Sequence, residues 1–123
     1  MKIKEAALQS GLSVDTIRYY EKSGMLPVIA RGRDAQRRFS KDNIDWLTVL
    51  FWLRKTGMPM KVMQLYAELV HSGDQTIPQR KAILIEHREN LKRRHQEIIR
   101  CEDLITYKLA AYDDVEKEQN NER

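Results

Sequence analysis

At 123 residues the chain is one small domain, or one domain with an appendage, and 41% hydrophobic with 33% charged residues describes a folded, helical protein rather than a disordered one. Its single cysteine excludes an intramolecular disulfide and a cysteine-built metal centre. The net charge of +4 is unevenly spread: residues 1–70 hold 12 Lys/Arg against 7 Asp/Glu, and residues 71–123 hold 10 against 11, so the basic excess lies where a nucleic-acid-binding face would be sought.

The chain opens on no secretory pattern. Its most apolar run, 44–53, falls far short of the ~20 residues that span a bilayer. A cytoplasmic protein without a membrane partner is the expectation.

In chain order, 3–9 predicts a short first helix. Ile3, Ala6 and Ala7 give it an apolar face small enough for close packing. Gly11 supplies the positive φ of a tight inter-helix turn, and Ser13 caps a second helix by accepting from an orphaned backbone N–H. Val14, Ile17 and then Tyr20 or Glu21 turn inward at helical spacing. Asp15, Arg18, Tyr19 and Lys22 are left on the outer face. Gly24 suits the position after that helix, and Pro27 stops it resuming. This is a helix-turn-helix with an exposed second helix.

Residues 28–39 have no helical period, and Arg31, Arg33, Arg37 and Arg38 crowd into them against a lone Asp34. A short two-stranded hairpin, or wing, with arms 28–30 and 37–39, fits this stretch. Arg31, Arg37 and Arg38 are its candidate contacts to a phosphate backbone.

Ser40 predicts the cap of a third helix, with Asp42 in its first turn. Eight of the ten residues from 44 to 53 are apolar, so this helix must bury more than one side and needs another element or another subunit. Gly57 ends it, and Pro59 suits the first position of a fourth helix, where Val62, Met63, Tyr66, Leu69 and Val70 form the apolar side. Arg54, Lys55 and Lys61 bracket that corner as further candidate phosphate contacts.

After a loop at 72–76, Ile77, Leu84, Leu91, Ile98, Ile105 and Tyr112 recur every seven residues without a miss. That predicts a helix of roughly 50 Å whose seam needs a second strand. The poor second seam position favours a pair over a thick bundle, and these residues do not decide between parallel and antiparallel. Residues 113–123 carry five acids and two bases with almost no hydrophobic content, which predicts a frayed tail.

The stretch from IKEAALQSGLSVDTIRYYEKSGML, followed by RRFSKDNIDWL and LRKTGMPMKV, resembles the MerR family of bacterial transcription regulators over roughly residues 3–70. The resemblance implies a mostly α fold: a winged helix-turn-helix lobe over 1–71, then an antiparallel coiled-coil dimerisation helix over 77–112. It implies a homodimer on a pseudo-palindromic promoter operator in double-stranded DNA. The dimer would distort an overlong promoter spacer for RNA polymerase by indirect readout. By matching position, Arg18 and Tyr19 would contact phosphate and base edges, Val14, Asp15 and Thr16 would lie where the helix approaches the bases, Arg37 is the wing arginine, and Arg54 grips flanking backbone.

The chain departs from the family at the wing tip, where Ala35 and Gln36 replace the usual Gly-Tyr, and at Trp52, where aldehyde- or stress-linked members carry a cysteine. It lacks the cysteines of the metal-sensing branches and the appended domain of the drug-sensing ones, so no metal and no cofactor are expected.

Other residues with chemistry have plainer accounts. Cys101 fits a small, half-buried seam residue. His87 and His95 lie about two turns apart, too far to chelate one ion unaided, and His71 reads as a surface or seam histidine. Trp46, Phe51 and Trp52 read as core rather than a ligand pocket. No nucleophile–base pair or phosphate-cradling glycine loop points to an enzyme. Two other readings remain. A coiled-coil adaptor would carry an acidic or apolar lobe surface, and an architectural, excisionase-like DNA-binding protein usually lacks a long heptad helix.

Overall fold

The computed structural model describes residues 1–122. It consists of five α-helices: α1 (Ile3–Ser10), α2 (Val14–Lys22), α3 (Lys41–Lys55), α4 (Met60–His71) and α5 (Ile77–Asn121), with one 3-10 turn, Asp74–Thr76, leading into the last. Residues 1–85 form one compact unit, and the chain from Glu86 forms a second.

The lobe is built on α3. Ile44, Leu47, Leu50 and Leu53 are buried along it, and Leu47 and Leu50 have no exposed surface. Ala6 of α1, Ile17 and Tyr20 of α2, Met63 and Ala67 of α4, and Met25, Ile29, Phe39 and Met58 from the connections join the same core. Ser40 starts α3 with a capping box: its hydroxyl accepts from the Asn43 N–H at 3.1 Å, and the Asn43 side chain accepts from the Ser40 N–H at 2.9 Å. Trp46 stacks on Tyr66 of α4 at 5.7 Å and donates its indole N–H to the Met25 carbonyl at 2.9 Å, tying α3 to the chain after α2.

The turn between α1 and α2 needs glycine for two reasons. Gly11 has φ 87°, and a Cβ placed there would lie 3.2 Å from the Phe51 ring of α3. Ser13 caps α2 as its sequence position predicts, accepting from the Thr16 N–H at 3.0 Å. Ile17 and Tyr20 are its buried residues.

Several boundaries differ from expectation. Pro59 precedes α4 as its N-cap, in extended backbone, instead of occupying its first turn. The lobe reaches Ile85, not residue 71. Within that added stretch Ile83 packs against the core, and the Arg80 guanidinium donates to the Thr76 hydroxyl at 2.9 Å and the Gly73 carbonyl at 2.5 Å. The tail expected to fray is helical to Asn121. Its residues are polar but helix-compatible, and Asp113 and Lys117 stand four apart with the acid first, the favourable order.

The third helix covers more than its core stripe, since Trp46 packs partly buried against the core and Phe51 is half-buried. Val49 and Trp52 nonetheless remain exposed on this chain.

Because Leu47 lies in the middle of the lobe with no exposed surface, Leu47→Ala is expected to cost about 2–5 kcal/mol of unfolding free energy. Denaturant titration followed by tryptophan fluorescence measures it, and a loss below about 1 kcal/mol would show that the core is not centred on this residue.

Candidate nucleic-acid interface

Because Ile17 and Tyr20 turn inward, α2 presents Asp15, Arg18, Tyr19 and Lys22 to solvent, as the spacing predicts. Burial pushes the Tyr20 phenol above its ordinary range, with the Arg54 charge pulling against it. Arg18 keeps more than half its side chain exposed and stands 4.0 Å from Asp15, a loose surface pair that leaves the guanidinium available.

Open grooves collect the candidates on either side. An open groove of about 640 Å³ is lined by Arg18 of α2, Arg31 and Arg37 of the hairpin, and Lys2 and Lys4 at the start of the chain. Another, of about 370 Å³, gathers Thr16 and Tyr19 of α2 with Arg54 and Lys55 at the end of α3, over Tyr20 and Phe51. Val14 lines a third depression, with Leu8 and Leu12. Arg38, Lys22 and Lys61 line none of these three. Lys22 and Lys61 are exposed, and Arg38 is half-buried.

The wing is present but is not the hairpin predicted. Among the described residues there is no named strand, and the pairing is one antiparallel bridge between Arg31 and Arg37. The Arg38 N–H donates to the Ala30 carbonyl at 2.7 Å and the Gly32 N–H to the Gln36 carbonyl at 2.8 Å, so the register centres on 30–32 against 36–38. Phe39 is withdrawn from that ladder because its ring is buried. Its backbone pairs instead with Met1, donating to the Met1 carbonyl at 2.6 Å and accepting from the α-ammonium at 3.0 Å.

Ala35, where the family pattern has glycine, takes φ 63°, a left-handed backbone that costs a β-carbon-bearing residue on the order of 1 kcal/mol. Asp34 compensates at the tip. Its carboxylate accepts from the Gln36 N–H at 3.1 Å and from Arg38 at 3.0 Å, and these contacts, the backbone one foremost, hold its carboxyl below the usual range. A group with a depressed folded-state pKa contributes stability at neutral pH and loses it as pH falls through that value, so the tip is fastened at neutral pH and loosened by acid.

The wing arginines are therefore not equivalent. Arg38 is paired with Asp34, Arg37 with Glu21 at 2.6 Å, and Arg31 donates to the Ala35 carbonyl at 2.9 Å. Arg33, which the sequence reading passed over as a contact, stands exposed at the tip without an ion pair among the described residues. Lys2 and Lys4 were also missed. Their only sequence signal was their alternation around Ile3 at the start of a helix whose neighbour carries Arg18.

A polar helix seated on an apolar lobe and flanked by a cationic hairpin defines a winged helix-turn-helix protein. The sequence pattern of the MerR HTH family regulatory proteins matches residues 1–69. An uncharacterised HTH-type transcriptional regulator of Haemophilus influenzae is 38% identical over 108 residues, 88% of this chain and 80% of that one. The HTH-type transcriptional regulator AdhR of Bacillus subtilis is 33% identical over 91 residues, 74% of this chain and 65% of that one. Among solved structures, HiNmlR, a MerR family regulator lacking the sensor domain and bound to promoter DNA, superposes with a TM-score of 0.81 at 36% identity, covering 92% of this chain and 90% of that one. A putative MerR family regulator from Listeria monocytogenes gives 0.82 at 33%, covering 92% and 86%. The chain belongs to the MerR family of DNA-binding transcription regulators.

Arg18→Ala is expected to weaken binding to a specific site by about 1–3 kcal/mol and to relax preference at one base position. Lys22→Ala should weaken all duplexes alike and lower the salt slope by about one. Binding titrations on specific and scrambled duplexes across salt separate the two, and an unchanged specific affinity for Arg18→Ala removes it from the base-reading set.

Proposed function

We propose that the protein is a homodimeric regulator of a promoter in the cytoplasm. The α2 of each subunit enters the major groove through Val14, Asp15, Thr16, Arg18 and Tyr19, with Lys22, the wing cations, and Arg54, Lys55 and Lys61 on the backbone beside it. Two lobes held a fixed distance apart grip a pseudo-palindromic operator and bend and untwist its centre. Backbone contacts from both subunits repay the deformation, and the realigned promoter serves RNA polymerase. Among the described residues no helix is long and apolar enough to cross a membrane.

One observation carries the dimer. Helix α5 runs 45 residues without a single buried residue. Ile77, Leu84, Ile98, Ile105 and Tyr112 of the heptad seam are exposed on this chain, and Leu91 is half-buried. A helix about 67 Å long with an unsatisfied apolar seam needs a second copy to cover it, and the resemblance favours antiparallel pairing. Cys101, expected half-buried, is exposed on this chain too. The adaptor reading loses its ground, because the groove beside α2 gathers the cations Lys2, Lys4, Arg18, Arg31 and Arg37 against a single acid, Glu5.

Selection of duplexes from a random pool by the purified protein at physiological salt should return an inverted repeat with fixed central spacing. Recovery of nothing above background would overturn the operator reading. Independently, Leu91→Lys places a charge in the seam and should convert the species seen in sedimentation velocity from dimer to monomer. A variant that still sediments as a dimer would refute this seam.

A further inference from the structure

Glu21 lies on the recognition helix, beside a groove that faces polyphosphate, where simple electrostatics disfavours an acid. The structure gives it a partner. Both Nε and Nη2 of Arg37 lie 2.6 Å from its Oε1, sixteen residues away across the gap between α2 and the wing. The two side chains are only 25% and 29% exposed, so the pair is partly desolvated and less screened than a surface ion pair. The Glu21 hydrogen bond also holds the Arg37 guanidinium more firmly protonated than usual.

The wing has little else to set its angle to α2. Its ladder is one bridge, its tip bonds lie within residues 30–38 apart from an ion pair of 3.6 Å from Lys2 to Asp34, and its base is tied through Phe39 to Met1, so none of these contacts reaches α2.

We propose that Glu21 is a positioning residue for DNA binding: with Arg37 it latches the wing to the recognition helix, so that Arg31 and Arg33 are presented at a fixed offset from Arg18. Arg37, the arginine expected to touch DNA, acts through this latch. The inference rests on the DNA-binding reading and makes a prediction of unusual sign. Removing an acid from a DNA-binding face raises affinity for every duplex when the acid is a bystander, and frees Arg37 for a phosphate as well. Removing a latch lowers affinity for the operator while leaving affinity for random duplex unchanged or raised.

The test measures Kd for the selected operator and a scrambled duplex across a salt series, for the wild-type dimer, Glu21→Ala, Arg37→Ala and the double variant. The latch predicts that Glu21→Ala binds operator roughly tenfold more weakly, with a flatter salt slope because wing phosphate contacts are lost. Scrambled duplex should bind at least as well as before. The double variant should be no weaker than Arg37→Ala, the signature of residues acting as one unit.

Glu21→Ala that tightens on both duplexes, loses affinity equally on both, or leaves the operator unchanged overturns the proposal. Should Glu21→Ala fail to fold, Glu21→Gln serves. It keeps an acceptor for Nε and removes the charge, and its operator-to-scrambled ratio must fall; a ratio that rises or holds overturns the latch. Failure of the DNA-binding reading itself is separate, because it appears as a wild-type protein without a preferred duplex.

Discussion

Everything the lobe presents to solvent depends on the burial of α3. Leu47 and Leu50 are fully enclosed, and the core they belong to draws residues from both helices of the helix-turn-helix, from α4 and from the connections. The outward face of α2 is a consequence of this arrangement. Once Ile17 and Tyr20 are committed to the core, a helix of 3.6 residues per turn has no choice but to hold Asp15, Arg18, Tyr19 and Lys22 outward. The close approach of Gly11 to Phe51 sets the turn that aims it.

The charge that composition assigns to this face is partly spent inside the protein. Four arginines in a twelve-residue stretch look like a uniform cationic surface. In the structure Arg37 and Arg38 neutralise Glu21 and Asp34, Arg31 braces a carbonyl at the tip, and Arg33 alone stands out unengaged among the wing arginines. Counting basic residues therefore overstates how many can meet a phosphate, and the acids beside them decide which.

The parts legible in the sequence were those set by local chemistry. Ser13 and Ser40 cap their helices, Gly11 turns, α2 has the predicted inward and outward faces, and the seven-residue recurrence in α5 lies on one unbroken helix. The parts that were not legible depend on partners far apart in the chain. Phe39 pairing with Met1 shifts the wing register, and Glu21 pairing with Arg37 reassigns an expected contact; no periodicity connects residues 38 or 16 apart. The tail beyond residue 112 was misread for a different reason. Low hydrophobicity signals lack of burial, not lack of helix, and a polar segment continuing an established helix escapes the cost of nucleation.

The absence of any buried residue in α5 bears on how the molecule behaves as its amount in the cell changes. In a dimer, the segment from residue 86 is a structure that one chain cannot complete, so its folding is second order in protein. A tenfold fall in copy number then removes about 1.4 kcal/mol of its stability without altering a single contact. Scarce molecules are thus the least folded and the first exposed to proteolysis, which sharpens the difference between a cell that makes much of this regulator and one that makes little.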